Sequence, residues 1–200
     1  MTTNRGTRVR LMVASHCLHY PEGLHERLPL LRRGLAEAPD AGLAALLDHL
    51  AGTPPVEAAR RYVELFDTEA DRSLHLTWYT DGDTRRRGAS LVALKQRYRG
   101  HGYLLGDGEL PDYLPVLLEF AAHTGDPGVR LLAGYRPALD VLHRNLLPLG
   151  TPYAAAVASV LATLPVRADA RPVATDAPVE RVGLEPVLLG YPTRLPEPTR

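Results

Sequence analysis

The sequence has no isoleucine, one lysine (Lys95) and one cysteine (Cys17) among its 200 residues. A single cysteine excludes an intrachain disulfide framework and a cysteine-rich zinc module. The formal net charge is zero at pH 7, so the basic surface typical of nucleic-acid-binding proteins is not expected. Neither a run of 18 apolar residues nor a signal-peptide core is present. We therefore expect a cytoplasmic protein that is not stably inserted in a membrane.

Leucine (35 residues) and alanine (25 residues) are the most frequent amino acids in the sequence. Both are strong helix formers, and the shortage of β-branched residues argues against a large sheet. Apolar residues recur at spacings of three and four along most of the chain, so we predict an all-α, single-domain helical bundle over residues 8–164, after a loose start at 1–7. Residues 165–200 hold seven of the 18 prolines, which predicts a tail that is partly extended or disordered.

Capping residues and prolines predict several helix boundaries. Asp40 is the expected N-cap of one helix, and Asp112 is the expected N-cap of another, because Pro115 then falls in the first turn, where its missing N–H costs nothing. Pro137 is expected to kink or split the helical stretch at 126–147.

The least regular stretch lies at 67–84. Leu74, Leu76 and Trp78 alternate with polar residues, as in a short strand, but no partner strand is apparent. A helical turn or a loop is an equally good interpretation.

Catalytic and metal-binding signatures are weak. His16, Cys17, His19 and His25 are potential ligands, but nothing completes a ligand set at a recognised spacing. No Ser-His-Asp order, phosphate-binding glycine loop or HExxH motif is found. We therefore predict no catalytic residues and no bound metal.

Arg85, Arg86 and Arg87 lie in the first turn of a predicted helix, where the macrodipole disfavours cations. They either pair with nearby carboxylates such as Asp81 and Asp83, or form a docking site for an anionic group, such as a cofactor phosphate, or for an acidic partner.

Four linked stretches, at 14–22 (ASHCLHYPE), 62–67 (YVELFD), 73–88 (SLHLTWYTDGDTRRRG) and 109–120 (ELPDYLPVLLEF), resemble the NarJ family. These proteins are nitrate reductase delta subunits, or molybdenum cofactor assembly chaperones, within the broader TorD/DmsD group. The similarity runs in the correct order across residues 11–164.

The resemblance implies a helical chaperone of the TorD/NarJ type that is not an enzyme and holds no cofactor permanently. Its implied partner is the N-terminal segment of the nitrate reductase catalytic (alpha) subunit, which it holds until the molybdenum cofactor is inserted and the subunit docks on the membrane. No nucleic-acid partner is expected, and we expect a monomer or weak dimer. The alternatives are a chaperone of the same fold for another molybdoenzyme or for a twin-arginine signal peptide, and a nucleotide- or metal-dependent enzyme.

A client helix would need an apolar groove rimmed by charges. Glu119 lies off the buried stripe of its own helix and is therefore available on such a rim, and Trp78 and Tyr79 adjoin an irregular segment of the kind that often carries function. The blocks shared with the family and the central aromatic residues together predict eight client-binding residues: Tyr62, Phe66, Trp78, Tyr79, Asp81, Glu109, Asp112 and Glu119.

Overall fold

The computed structural model describes residues 3–106, 108–166 and 170–174, which include ten α-helices and two short 3-10 turns. The rest of the predicted tail, at 167–169 and 175–200, lies outside the described residues. The helices are α1 (Arg5–Leu18), α2 (Leu24–Glu37), α3 (Ala41–Gly52), α4 (Pro55–Phe66), α5 (Leu76–Asp81), α6 (Arg85–Gly100), α7 (Leu114–Thr124), α8 (Asp126–Ala133), α9 (Arg136–Leu146) and α10 (Pro152–Thr163). Extended pairing in the described part is limited to one isolated bridge, so the predicted all-α bundle is confirmed.

Helix α1 is the centre of the bundle and packs against α2, α3, α7 and α10. Its fully buried leucines, Leu11 and Leu18, belong to a hydrophobic core that continues through α3, α7, α9 and α10. Burying each such side chain contributes roughly 1.5–3 kcal/mol relative to leaving it in water. The buried Ser15 hydroxyl donates to the Pro115 carbonyl at 2.8 Å, which fixes α1 against the start of α7.

Two of the predicted boundaries are confirmed. The Asp40 carboxylate accepts the backbone N–H of Leu43 at 3.0 Å and caps α3. The same oxygen accepts the Ser159 hydroxyl at 2.5 Å, so the cap also joins α3 to α10. The long stretch is divided before Pro137, with α8 ending at Ala133 and α9 beginning one turn later.

The prediction that Asp112 caps α7 is wrong, because Tyr113 occupies the cap position and makes no side-chain cap bond. A long-range backbone bond satisfies this helix start instead, since Leu114 N–H donates to the Leu74 carbonyl at 2.8 Å. The reciprocal bond, from Leu76 N–H to the Asp112 carbonyl at 3.0 Å, satisfies the first N–H of α5. The alternating pattern around Leu74 therefore forms a single bridge, and the chain then turns into the short helix α5 rather than a strand.

Residues 170–174, the described part of the predicted tail beyond residue 166, lie against the bundle. Arg171 N–H donates to the Gly134 carbonyl at 2.9 Å, and Ala174 N–H donates to the Tyr79 carbonyl at 2.8 Å. Val173 packs against the core. We call residues 170–174 the strap, since they join α5 to the α8–α9 junction.

Two buried tyrosines differ in whether their hydroxyl groups are bonded. The Tyr98 hydroxyl donates to the Pro111 carbonyl at 2.5 Å, whereas the buried Tyr135 hydroxyl has no hydrogen-bond partner among the described residues. We expect Tyr98→Phe to lower the free energy of unfolding by about 1–2 kcal/mol, because a buried carbonyl loses its donor. Tyr135→Phe should leave that free energy unchanged or raise it slightly. Urea denaturation of both variants measures the two free energies of unfolding. Equal decreases would contradict the finding that the Tyr98 hydroxyl is bonded and the Tyr135 hydroxyl is not.

Candidate functional site

A groove lies between α7 and the loop that follows α6, with a volume of about 280 Å³. Its floor is apolar and is built by Pro115, Val116 and Phe120 on α7, Tyr98 on α6 and Leu105 in the loop. Phe120 is fixed by ring contacts on either side, with ring centroids 4.7 Å from Tyr98 and 5.6 Å from Tyr103. The floor is therefore a packed apolar surface beside a glycine-containing loop.

The rim of this groove carries two carboxylates and two histidines. Glu109 Oε1 lies 3.5 Å from His19 Nε2, and Glu119 Oε1 lies 3.7 Å from His123 Nε2. All four side chains are exposed enough that each pair is worth at most about 1 kcal/mol. The carboxylates can therefore exchange these partners for cations of a bound molecule at little cost.

A second pocket of about 310 Å³ adjoins the first, because His19 and Glu109 line both. A third carboxylate, that of Asp67, lies on its wall. We call the two pockets together the acidic groove. The other residues that line the second pocket are Tyr20, Tyr62, His75, Gly108, Leu110 and Tyr113.

Tyr62 and Phe66 support the wall of the acidic groove from inside the bundle. The Tyr62 hydroxyl lies 3.1 Å from the Leu18 carbonyl and 2.6 Å from the Tyr113 hydroxyl. A carbonyl can only accept, so Tyr62 donates to Leu18 and Tyr113 donates to Tyr62. The Phe66 ring lies 4.9 Å from Tyr62 and 5.0 Å from Tyr153, which connects α4 to α10. Burial raises the pKa of Tyr62, so its hydroxyl stays neutral.

Asp112 is a fully buried carboxylate that joins α5, α6 and the start of α7. His75 Nδ1 lies 3.1 Å from its Oδ1, the Thr77 hydroxyl donates to its Oδ2, and Arg87 Nη2 lies 3.6 Å from the same oxygen. Arg87 Nε also donates to the Thr77 hydroxyl at 3.2 Å. Burial alone would raise the pKa of Asp112, but the hydrogen bonds from His75 and Thr77 and the nearby charges outweigh it and lower the pKa.

The predicted client-binding residues divide into two groups in the structure. Glu109 and Glu119 lie on the rim of the acidic groove, and Tyr62, although buried, reaches the wall of its second part. The other five are absent from the groove lining: Phe66, Trp78, Tyr79, Asp81 and Asp112. Among these, the side chains of Phe66, Tyr79 and Asp112 are buried.

The three arginines at the start of α6 also differ in their contacts and in their exposure. Arg87 contacts Asp112, and its guanidinium carbon lies 6.0 Å from the Trp78 ring centroid. Arg85 and Arg86 are exposed. Arg87 thus pairs with Asp112, which is distant in the sequence, and not with the upstream carboxylates Asp81 and Asp83. An anion-docking role for Arg85, Arg86 and Arg87 stays a prediction.

Several residues that line the groove have no distinctive signal in the sequence. The only sequence signal for His123 was its position four residues after Glu119, which puts both on one side of a helix. Phe120 and Val116 gave no signal that separates a groove floor from a core.

Within the described residues, no group of three or more histidine, cysteine, aspartate or glutamate side chains is placed to hold a metal ion. Burial raises the pKa of Cys17 to about 12.

No helix in the described part of the chain is both long and apolar enough to span a membrane.

Residues 32–158 match the family model described as nitrate reductase delta subunit. The chain is 45% identical over 123 residues to the nitrate reductase-like protein NarX of Mycobacterium tuberculosis, covering 60% of this chain and 19% of that protein. It is 30% identical over 154 residues to the Escherichia coli nitrate reductase molybdenum cofactor assembly chaperone NarJ, covering 73% of this chain and 65% of that protein.

A NarJ protein of Bacillus subtilis is 33% identical over 126 residues, which cover 60% of this chain and 67% of that protein. The chain thus spans about a fifth of the length of the NarX protein and about two thirds of the length of the two NarJ proteins. The family model covers well over half of the 200 residues, and the resemblance found in the sequence is confirmed. The chain belongs to the nitrate reductase delta subunit family.

Proposed function

We propose that this protein is an assembly chaperone for a respiratory nitrate reductase. It binds the N-terminal segment of the catalytic subunit in the acidic groove and holds that subunit until the molybdenum cofactor is inserted and the subunit docks on the membrane. It acts in the cytoplasm, is not an enzyme and carries no cofactor of its own. Family membership supports this proposal, as does the name of the Escherichia coli relative, a nitrate reductase molybdenum cofactor assembly chaperone.

The observation that carries the proposal is the pairing of an apolar floor with an acidic rim. Phe120 and Val116 offer apolar surface to one face of a peptide, while Glu109 and Glu119 stand where basic side chains at its edges can reach them. An amphipathic helix with basic flanks matches that arrangement, because burying its apolar face supplies the affinity and the charge pairs set its register.

Two of the predicted residues outside the groove lining act indirectly. Asp112 holds α5 and α6 against the start of α7, and Phe66 supports Tyr62 from behind. Substituting them weakens client binding through the shape of the groove, whereas substituting Glu109 or Glu119 weakens it through direct contact.

Calorimetric titration tests the proposal. A synthetic peptide of about the first 15 residues of the catalytic subunit from the same genome is titrated into the full chain. We expect saturable binding with a negative heat-capacity change from apolar burial. Glu119→Lys should weaken binding roughly tenfold, because a carboxylate–cation contact is replaced by repulsion. Glu26→Lys, at an exposed position on α2 that does not line the groove, is the control.

Three outcomes would contradict the proposal. The peptide does not bind, Glu119→Lys and Glu26→Lys weaken binding equally, or a twin-arginine signal peptide binds more tightly than the catalytic-subunit peptide. Circular dichroism of both variants shows that the fold is intact, which keeps a loss of binding separate from a loss of structure.

A further inference from the structure

A second concave surface lies where α6, α8 and the strap meet. The pocket has a volume of about 410 Å³ and shares no lining residue with the acidic groove. Arg97 and His101 at the end of α6, Arg130 on α8 and Arg171 in the strap line it, and no carboxylate does so among the described residues. We call this surface the basic pocket.

Arg171 reaches the basic pocket because the strap is fixed at several points. Its backbone N–H is bonded to Gly134, and its guanidinium carbon lies 4.8 Å from the Tyr135 ring centroid. Its Nη1 is also within 3.5 Å of the Ser90 hydroxyl. A guanidinium stacked on an aromatic ring keeps its outer N–H groups free to donate. The strap thus adds a pre-oriented cation to a pocket that α6 and α8 alone leave incomplete.

The positive charge of this pocket is only partly neutralised locally. No ion pair with a carboxylate is found for Arg97, Arg130 or Arg171 in the described ranges. Asp126 lies one turn before Arg130 and interacts with it electrostatically, but its Oδ1 accepts both the backbone N–H and the hydroxyl of Thr3. Three guanidinium groups on one pocket repel one another, and an anion bound between them relieves that repulsion.

We propose that the basic pocket binds a phosphate-bearing small molecule, and that the strap and this ligand stabilise each other through Arg171. Phosphate fits better than carboxylate, because its oxygens can accept from three guanidinium forks at once, whereas a carboxylate has only two oxygens. Pro127 and Leu131 add an apolar wall for the organic part of the ligand. This inference does not rest on the proposed chaperone function, since the acidic groove takes no part in it.

Titration of the full chain with inorganic pyrophosphate at constant ionic strength tests the site, with acetate as the carboxylate arm. We expect saturable binding of pyrophosphate and none of acetate. Arg97→Ala, Arg130→Ala and Arg171→Ala should each weaken binding roughly three- to tenfold, since each removes a charge-assisted contact. Arg33→Ala, which removes an exposed arginine of α2 outside the pocket, should leave the affinity unchanged.

Hydrogen exchange tests separately whether the ligand stabilises the strap. Pyrophosphate should slow hydrogen exchange of the Arg171 and Ala174 amides, which make the strap's two backbone bonds. Arg171→Lys keeps the charge and should retain part of this protection, whereas Arg171→Ala should lose it.

The proposal is overturned if pyrophosphate does not bind, if acetate binds equally well, or if Arg33→Ala weakens binding as much as Arg130→Ala. Unchanged exchange at residues 171 and 174 on saturation would overturn the coupling. No client peptide is present in these measurements, so their failure is distinguishable from failure of the chaperone proposal.

Discussion

Asp112→Ala is expected to lower the free energy of unfolding by about 3–5 kcal/mol, because it leaves charged and polar partners without their buried carboxylate. Arg87, His75 and Thr77 all point to this one group, and Arg87 is only partly exposed. Urea denaturation followed by circular dichroism measures the loss. Asp48→Ala is the matched control, since among the described residues that exposed carboxylate pairs with Arg32 alone, at 3.6 Å, and its loss should change stability by about 0.5 kcal/mol or less.

Asp112→Asn keeps the fold measurable if the alanine variant does not fold, and it also tests the charge. The pKa of Asp112 is lower in the folded protein than in the unfolded chain, so its ionised form contributes stability above the unfolded pKa of about 4. That contribution is lost as the pH falls through the lower folded pKa. The stability difference between the wild type and Asp112→Asn should therefore shrink below about pH 4. A difference that is constant from pH 7 to pH 2 would show that folding does not lower the pKa of Asp112.

Gly128→Ala is expected to destabilise the protein by about 2–3 kcal/mol through overpacking between α7 and α8. A methyl group on Gly128 would lie 2.5 Å from Ala121 Cα and 2.9 Å from the Phe120 carbonyl oxygen, and neither backbone atom can move without shifting α7. Since α7 carries the floor of the acidic groove, the same substitution should also weaken client binding. Thermal unfolding and the peptide titration measure the two effects.

The same substitution at Gly88 should have the opposite effect. Gly88 is exposed within α6, and a methyl group there would meet no atom within 4 Å. Alanine has the higher helix propensity, so Gly88→Ala should raise the free energy of unfolding by about 0.5–1 kcal/mol. If Gly128→Ala does not destabilise the protein, the close approach of α8 to α7 at Gly128 is wrong, whereas destabilisation by Gly88→Ala would contradict the open space at Gly88.

Local features of the sequence were sufficient to predict most of the helices. The cap at Asp40 and the division before Pro137 depend on residues within one or two turns, so spacing alone identifies them. Asp112 was misassigned because it has the form of a cap residue followed by a proline. The bonds that decide its role come from residues some 35 positions earlier, and no local pattern contains them.

The acidic groove was predictable only in part. Glu109 and Glu119 were found through the family resemblance and the helix face of Glu119, and both lie on the groove rim. Phe120 was not found, because a groove floor and a core have the same apolar character in a sequence. The contact of His19 with Glu109 joins the end of α1 to a loop 90 residues later, which no spacing rule predicts.

The strap is attached through main-chain atoms at positions 171 and 174, while the residue after Arg171, Pro172, has no N–H to offer. Bonds of this kind recognise the path of a backbone and not the identity of its side chains. Apart from Arg171 and Val173, whose side chains also contact the bundle, the segment can therefore exchange its amino acids during evolution and still cross the bundle along the same course. What it cannot accept is an imino acid at either donating position, so the location of prolines, rather than their number, limits how this part of the sequence can drift.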